Sequence, residues 1–439
     1  MMLLKGFIYS IIFNFMLIGC TSTDQQSSSK KITWQAISKN LQARAGAALV
    51  EHNNFVYLIG GVDGKNYLNS VEFAYINAQG ELSAWQFTRE MPQARGFIDA
   101  VVFANHVYVA GGANGQHGKN LLSTVIRAPI NTDGSLGMWQ QMSETMLVPR
   151  RCNKLFLWNK QLIAAGGFAG SLLDTLEASH FDHDGFLGEW RLLENKLLVP
   201  RYVNAIKQSG DYVYVLGGHH ASLGKGLDSV EYLALKNNNS PWMATQAMSQ
   251  SRYGHSVATN GKFLYALGGM DAATYLESIE YSELMSDGTL GSWKIVQVLP
   301  QAMANFTTLI KGSWIYIFGG AYKETYNQQV YRALIHADGR IGFEGGWAEP
   351  QTLQIQSNRN ENLTRSGRVL EVINSPQYSF IQLIESNGQT LWIASNRIPL
   401  EPEQRIRFSE GALMKHFFSA SLNRQFDEIV FVSAVKALD

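Results

Sequence analysis

The chain has 439 residues, 46% of them hydrophobic and 16% charged, which is the composition of a folded globular protein and excludes a disordered one. Its 36 basic residues equal its 36 acidic residues, and this balance argues against nucleic acid as a partner, because phosphate binding needs an excess of positive charge. The length is sufficient for two domains with a large core.

Residues 1–19 predict a secretory signal peptide. Lys5 provides a positive charge, an apolar run follows from Gly6 to Ile18, and the segment ends in Leu17-Ile18-Gly19-Cys20. This ending resembles the lipobox of bacterial lipoproteins. The resemblance implies cleavage before Cys20 and attachment to its sulfur of a diacylglyceryl group, which carries acyl chains such as palmitate. An ordinary signal peptide and an uncleaved anchor are the alternatives.

The lipoprotein resemblance also implies a location. An Asp after the lipidated cysteine would resemble an inner-membrane retention signal, and because Thr21 stands there instead, the outer membrane of a bacterial envelope is favoured. Residues 20–32 are polar and lack an apolar pattern, so they are predicted to form a flexible tether. Cys152 is the only other cysteine, so no disulfide can form within one chain once Cys20 carries lipid.

A pair of adjacent glycines recurs six times after the tether, at intervals of about 50 residues, and such a period is typical of propeller arrays. The pairs are Gly60-Gly61, Gly111-Gly112, Gly166-Gly167, Gly217-Gly218, Gly268-Gly269 and Gly319-Gly320. A short apolar run rich in β-branched and aromatic residues precedes each pair, which predicts a strand that ends at the glycines.

The rest of each repeat follows one order along the chain. A polar loop comes after the glycines, then a further strand such as residues 71–76, then a turn that is Asp-Gly in four repeats, and then a tryptophan. A tyrosine stands three residues before the first glycine in five of the six repeats, with Ile163 as the exception. Aromatic residues that recur in this way are expected to pack between neighbouring sheets.

This arrangement resembles the kelch motif over residues 33–349. The resemblance implies an all-β fold, a six-bladed kelch-type β-propeller of four-stranded blades. Ring closure stays open at this point, since there are seven such tryptophans and six glycine pairs. Either the segment at Trp34 or the segment at Trp347 supplies the outermost strand of the last blade.

One polar position recurs sixteen residues before each first glycine. It holds Arg44, Arg95, Arg150, Arg201 and Arg252, with Met303 in the last repeat. The kelch resemblance places this position at the start of the innermost strand, near the central opening. The five guanidinium groups could form a ring that binds an anion, or each could be satisfied by carbonyl groups or a carboxylate of a neighbouring blade. The candidate partners are Glu72, Glu177, Glu231 and Glu280.

The loops that follow the glycine pairs are expected to open on the same face as these arginines. They carry side chains suited to an acidic or sugar-like ligand, namely Lys65, Tyr67, His117, Lys119, His219, His220, Lys225, Tyr275, Lys323 and Tyr326. The candidate ligand-binding set therefore consists of the five arginines together with His219, His220 and Lys225. Ordinary solvated loop surface is the alternative for these loop residues.

No metal site, cofactor or catalytic residue is predicted. His219, His220 and His255 match no known ligand spacing. Some kelch proteins are copper radical oxidases with a Tyr–Cys crosslink, but Cys152 is expected to be a buried structural thiol. Another exported kelch family isomerises sialic acid, and the Asp-Gly-x-Leu-Gly-x-Trp turns of this chain do not resemble it.

Residues 350–439 predict a small C-terminal β-domain. Five strands are expected at 366–375, 378–385, 391–394, 405–408 and 429–432. Their number and length suggest a small OB-like barrel. Residues 413–426 resemble a signature of small exported bacterial β-domains of unknown role, which implies a packing loop or a contact site.

Together these features predict a lipid-anchored binding protein of the bacterial envelope, joined to the membrane through its N-terminal lipid. Its propeller would present the loop face to a protein or glycan partner, and the arginines would suit an acidic one. An enzyme acting on an acidic sugar, of epimerase or mutarotase type, is the first alternative. A structural subunit of an envelope assembly is the second.

Overall fold

The computed structural model of the protein describes residues 34–220, 225–236, 240–342, 363–375, 378–419, 422, 424–432 and 434–438. The predicted signal peptide and tether lie outside these residues, as do Trp347 and the predicted domain boundary after residue 349. The chain divides into two compact units, Met1–Gln351 and Thr352–Asp439. The regular secondary structure of the described residues is strand, except for a short 3-10 turn, Gln116–Gly118.

The first unit contains six antiparallel sheets, numbered in chain order, and the strand β1 (Gln35–Lys39) precedes them. Sheet 1 consists of β2 (Ala48–His52), β3 (Phe55–Ile59), β4 (Val71–Tyr75) and β5 (Gln86–Thr88). Sheet 2 consists of β6 (Asp99–Phe103), β7 (His106–Ala110), β10 (Val125–Pro129) and β11 (Gln140–Gln141), with the hairpin β8 (Ala113–Asn114) and β9 (Asn120–Leu121) inserted between β7 and β10.

Sheets 3 and 4 repeat the plan without an inserted hairpin. Sheet 3 consists of β12 (Lys154–Trp158), β13 (Gln161–Ala165), β14 (Thr175–His180) and β15 (Arg191–Lys196). Sheet 4 consists of β16 (Ala205–Ser209), β17 (Tyr212–Leu216), β18 (Val230–Ala234) and β19 (Met243–Thr245).

Sheet 5 consists of β20 (Ser256–Thr259), β21 (Phe263–Leu267), β24 (Ser278–Glu283) and β25 (Lys294–Val298), with the hairpin β22 (Met270–Asp271) and β23 (Thr274–Tyr275) between β21 and β24. Sheet 6 consists of β26 (Ala304–Lys311), β27 (Trp314–Tyr322), β29 (Gln329–Leu334) and β1, and β28 (Thr325–Tyr326) pairs with the end of β27.

The six sheets form a closed circle. The innermost strands β2, β6, β12, β16, β20 and β26 lie side by side, and β26 in turn neighbours β2. The outermost strand of sheet 6 is β1, which pairs antiparallel with β29 at Gln35–Arg332 and Ala36–Tyr331. The segment that follows Trp34 therefore closes the ring, and the first and last parts of the unit share one sheet.

Each pair of neighbouring sheets encloses its own hydrophobic core. The core between sheets 1 and 2, for example, contains Tyr57, Ile59, Val107 and Val109, all fully buried. Similar clusters lie between every other pair of neighbours, including sheets 6 and 1. A single sheet would expose both apolar faces, so the fold is stable only as the complete stack.

In five of the six sheets the recurring tyrosine joins its sheet to the next by a hydrogen bond, and Ile163 stands at this position in sheet 3. The Tyr57 hydroxyl donates to the carbonyl oxygen of Gly134 at 2.7 Å, and Tyr108 donates to that of Gly185 at 2.6 Å. Tyr214, Tyr265 and Tyr316 make the equivalent bonds to Gly288, Gly339 and Gly80. These side chains are buried and bonded to the protein, which is the structural role expected from their period.

The glycine pairs are required by their backbone conformation. The first glycine of each pair has a φ between 53° and 71°, and the second a φ between 92° and 104°. A Cβ on Gly60 would lie 2.5 Å from the carbonyl oxygen of Arg95 in the next sheet. The pairs therefore mark the points where one sheet approaches its neighbour most closely.

The second unit is one seven-stranded sheet in the order β34-β35-β32-β31-β30-β33-β36. Its strands are β30 (Arg365–Asn374), β31 (Tyr378–Glu385), β32 (Thr390–Asn396), β33 (Arg405–Phe408), β34 (Gly411–Ser419), β35 (Arg424–Val432) and β36 (Val435–Leu438). All neighbours are antiparallel except β32 and β35, which are parallel.

The sequence prediction for this unit needs one correction. All five expected segments correspond to strands, the first of them ending one residue earlier than expected, at Asn374, but β34 and β36 were not expected. Residues 413–426, interpreted as a packing loop or contact site, mostly belong to the hairpin of β34 and β35, where Leu413 pairs with Val430. The charged and histidine positions in this stretch break the apolar alternation that would have indicated a strand. The OB-like topology stays a prediction.

Candidate functional site

The five recurring arginines lie inside the first unit. Their side chains are at most 1% exposed. Each guanidinium donates from Nη1 to the carbonyl oxygen of the first glycine of its own sheet, as in Arg201 to Gly217 at 2.7 Å and Arg252 to Gly268 at 2.7 Å. The remaining three bonds join Arg44 to Gly60, Arg95 to Gly111 and Arg150 to Gly166. The arginines therefore hold the glycine turns in place.

Four of these arginines form buried ion pairs with the recurring glutamates, and each glutamate belongs to the arginine's own sheet and not, as expected, to a neighbouring one, because the guanidinium reaches across its own sheet to the third strand. The pairs are Arg44–Glu72, Arg150–Glu177, Arg201–Glu231 and Arg252–Glu280. Burial lowers the pKa of each arginine, and the neighbouring carboxylate partly restores it. Buried charges of this kind are stable only when they are paired and hydrogen-bonded.

Each glutamate also accepts a backbone N–H from the segment that leads into the arginine. The donor is the residue three positions before the arginine, for example Leu147 to Glu177 at 2.7 Å and Leu198 to Glu231 at 2.7 Å. Leu41 and Ser249 make the same bond to Glu72 and Glu280. One carboxylate thus ties together the arginine and the chain that precedes it.

Sheets 2 and 6 lack this carboxylate, and both also lack the N–H donor. In strand register, Ile126 and Tyr331 occupy the glutamate position. Three residues before Arg95 and before Met303 stand Pro92 and Pro300, which have no N–H to donate. The carboxylate and the donor are therefore present together or absent together, as expected if the carboxylate's function is structural.

Arg95 is a buried cation without a carboxylate partner. Its Nη atoms donate to Gly111 and to the Thr124 carbonyl and hydroxyl, and its Nε has no hydrogen-bond partner among the described residues. Burial lowers the pKa of Arg95 to about 10.

The geometry of the other four arginines favours the structural interpretation over a ligand-facing ring, because their donors are directed at protein groups.

The loops after the glycine pairs open at the arginine end of the sheets. The residue after each arginine position bridges to the residue after the glycine pair, as in Tyr202 with His219 and Tyr253 with Met270. Arg151 bridges to Phe168 in the same way. These bridges place the side chains next to the arginines on the same face as the loops, which we call the loop face.

Five tyrosines, Tyr67, Tyr202, Tyr253, Tyr275 and Tyr326, line this face and are called the tyrosine ring. Burial and then Tyr202 and Tyr275 raise the pKa of Tyr253, and burial and then Tyr275 raise that of Tyr326. Burial raises the pKa of Tyr67, Arg151 opposes this effect, and Tyr326 adds to it. Tyr202 belongs to sheet 4, Tyr253 and Tyr275 to sheet 5, Tyr326 to sheet 6 and Tyr67 to sheet 1, so the five phenols span four of the six sheets.

His219 lies within the tyrosine ring. Its imidazole meets Tyr202 edge-on with centroids 5.2 Å apart and Tyr253 with centroids 5.0 Å apart. Its Nδ1 is buried without a hydrogen-bond partner among the described residues. Burial, and then His220, lower the pKa of His219, so its imidazole is neutral at pH 7. This imidazole presents a polar edge between the aromatic side chains of Tyr202 and Tyr253.

His220 and Lys225, the other two loop residues of the candidate ligand-binding set, lie close to His219 in the chain. Burial, and then Arg201, lower the pKa of His220. Lys225 is partly buried at the end of the same loop, and residues 221–224 lie outside the described residues. The structure therefore brings His219 into the tyrosine ring and gives no such contact for Lys225.

Arg151 and Phe97 complete the loop face and were not predicted from the sequence. Arg151 lies over the Phe168 ring at 5.1 Å, and Phe168 contacts Tyr202 with centroids 5.6 Å apart. A cavity of about 890 Å³ beside the ring is lined by Phe97, Tyr67, His117 and Tyr326. For Arg151 the available signal was position, because the residue directly after each recurring arginine reaches the loop face, whereas Phe97 lies two residues after Arg95 and had no such signal.

Comparisons with known proteins match this architecture. The Kelch motif model matches residues 43–72. The chain is 30% identical over 141 residues to Kelch-like protein 38 of Mus musculus, covering 31% of this chain and 23% of that protein. It is 23% identical over 289 residues to Kelch-like protein 36 of Bos taurus, covering 64% of this chain and 44% of that protein. The chain thus spans less than half of these relatives.

A solved structure described as "Structure of YjhT" has the same kind of fold. It matches with a TM-score of 0.56 and 16% identity, over 70% of this chain and 98% of that chain. The protein is therefore all-β, carries a kelch motif and has a propeller-type structural neighbour. A kelch-repeat propeller suggests a binding scaffold, and kelch-repeat proteins generally bind protein partners.

Among the residues that the structure describes, no group of three or more His, Cys, Asp or Glu side chains is arranged to hold a metal ion. In the same residues, no helix has the length and apolar character needed to cross a membrane.

Proposed function

We propose that this protein is a lipid-anchored binding protein of the bacterial envelope, in which the six sheets are the blades of a kelch propeller. Its tyrosine ring captures a glycan or an extended protein segment. The observation that carries the proposal is the ring itself: five phenols and His219 on one face of a scaffold whose arginines are occupied elsewhere.

The chemistry of the ring suits such partners. A tyrosine offers a flat apolar face and a hydroxyl that donates or accepts, so it can stack on a sugar ring or a peptide plane and also hydrogen-bond it. Arg151 adds one cation beside the ring, which suits an acidic group on the partner. Because six packed sheets hold these side chains, binding requires little ordering of the protein.

The proposal predicts that two central tyrosines carry most of the affinity. Purified protein is titrated with envelope glycan fragments and with peptides, using an array followed by calorimetry on the best binder. Tyr202→Ala combined with Tyr253→Ala should weaken binding at least tenfold, because two stacking faces and two hydroxyls are lost. Far-UV circular dichroism and thermal melts should remain as in the wild type.

Tyr75→Ala is the matched control, since Tyr75 is 40% exposed and ends β4 far from the glycine turn of its sheet. It should leave binding unchanged. Equal losses in Tyr75→Ala and in the double variant would refute a role for the ring. Chemical conversion of a bound acidic sugar would instead support the enzyme alternative.

A further inference from the structure

The centre of the first unit contains a second polar cavity, separate from the tyrosine ring. It has a volume of about 530 Å³ and lies between the innermost strands of all six sheets. Its charged lining consists of Glu51, Asp99, Lys154 and Lys207, and His255 also lines it. A charged group inside a protein costs free energy unless it has a partner, so a charged group without one indicates a site for a ligand.

Two of these groups are cations without a direct partner. Neither Lys154 nor Lys207 makes an ion pair or hydrogen bond with any residue that the structure describes. The Asp99 carboxylate instead accepts the N–H groups of Ala100 and Leu155, each at 3.0 Å. Burial lowers the pKa of Lys207, and Asp99 opposes this effect from a distance.

The remaining acid does not balance the two lysines. Glu51 is paired with Lys311 at 2.7 Å. Asp99 is then left to face Lys154 and Lys207, so the cavity carries one positive charge in excess when both amines are protonated. In a cavity walled by the innermost strands, such an excess attracts a small anion more strongly than at a flat surface.

Uncharged donors lie beside these lysines. His255 is 5% exposed, and both of its ring nitrogens lack a hydrogen-bond partner among the described residues. Burial and the cations Arg252, Lys154 and Arg201 lower its pKa well below the usual range, so the imidazole is neutral and has one N–H to donate. The Thr307 hydroxyl in the same cavity also has no partner within the described chain.

We propose that this central cavity binds a small oxyanion, a carboxylate or phosphate group, between Lys154, Lys207 and His255. The two ammonium groups supply charge, and the imidazole and the Thr307 hydroxyl supply hydrogen bonds. This site does not depend on the tyrosine ring, and either one can exist without the other.

The test is titration of the full-length protein with phosphate and, separately, with succinate, at an ionic strength held constant with sodium chloride. Calorimetry should show saturable binding of at least one anion, and the preferred probe tells a phosphate from a carboxylate ligand. Lys207→Met and Lys154→Met should each weaken binding at least tenfold. Lys39→Met, on the exposed outer strand β1, should leave it unchanged.

A measurement on the unmodified protein covers the case in which a lysine variant fails to fold. With ¹³C-labelled histidine, the His255 ring signal, assigned from His255→Gln, should shift with the same saturation curve as the heat signal. If neither anion saturates, or if it saturates while the His255 signal stays fixed, the proposal is wrong. It is equally wrong if folded Lys154→Met and Lys207→Met bind as the wild type does.

Discussion

The recurring arginine illustrates how one side chain can act as a structural element in every repeat. Arg201 binds the carbonyl oxygen of Gly217 and the carboxylate of Glu231, while Glu231 accepts the N–H of Leu198. The loss of this carboxylate in sheets 2 and 6 is matched by a proline at the donor position. The two variant sheets therefore show that the glutamate accompanies a backbone N–H donor, and that a proline takes the donor position where the glutamate is absent.

At this scale, removal of Arg201 and removal of Arg95 should have different effects on stability. Arg201→Met leaves Glu231 buried without its cation, so the free energy of unfolding should fall by about 3–5 kcal/mol. Arg95→Met strands no carboxylate and copies Met303, so the loss should stay below about 2 kcal/mol, which reflects only unpaired carbonyl groups. Denaturant unfolding measures both, and equal losses would contradict the structural assignment.

The innermost strands begin with an unusual backbone element. The residue two positions after each arginine or Met303 has a positive φ, and the set is Gly46, Phe97, Cys152, Val203, Gly254 and Asn305. Their peptide groups are hydrogen-bonded from sheet to sheet, as in Phe97 N–H to the Gly46 carbonyl at 2.8 Å and Gly254 N–H to the Val203 carbonyl at 2.8 Å. Neighbouring sheets are thereby linked by backbone as well as by side chains.

Val203 is the most strained member of this element, because a β-branched residue is unfavourable at its φ of 54°. Val203→Gly should therefore raise the free energy of unfolding by about 0.5–1 kcal/mol, the strain relief exceeding the entropy that glycine gains in the unfolded chain. Thermal and urea unfolding provide the measurement.

Val215→Gly is the matched control. Val215 is fully buried in β17 with ordinary strand geometry, so this change should destabilise by about 3 kcal/mol. Destabilisation by Val203→Gly of a similar size would show that the backbone at residue 203 is not strained.

The sequence was most informative for the features that recur with the period of the repeat. The glycine pairs, the tyrosines three positions before them and the arginine–glutamate partners all follow from period alone. Tyr67, Tyr275 and Tyr326 were expected on the loop face, but Tyr202 and Tyr253 were not singled out, and the grouping of all five could not be predicted because they belong to different sheets that meet only when the circle closes. The positive φ at Val203 carried no glycine to indicate it. The hairpin of β34 and β35 lacked a clear alternating pattern.

At the scale of the whole molecule, the closed circle connects structure to the proposed function. Sheet 6 is completed by β1, so the two ends of the first unit are held together. Trp34 supports this closure, since it is 4% exposed and its indole N–H donates to the Val298 carbonyl at 2.9 Å. Closure fixes the positions of loops from distant parts of the chain, and the tyrosine ring depends on that arrangement.

The central claim is that the arginines hold the scaffold together while the tyrosine ring binds the partner. The most direct measurement compares Arg95→Met with Tyr202→Ala/Tyr253→Ala in one calorimetric titration against the same partner. We predict that folded Arg95→Met binds as the wild type does and that the tyrosine variant binds at least tenfold more weakly. Loss of binding by a folded Arg95→Met, with binding retained by the tyrosine variant, would contradict the account.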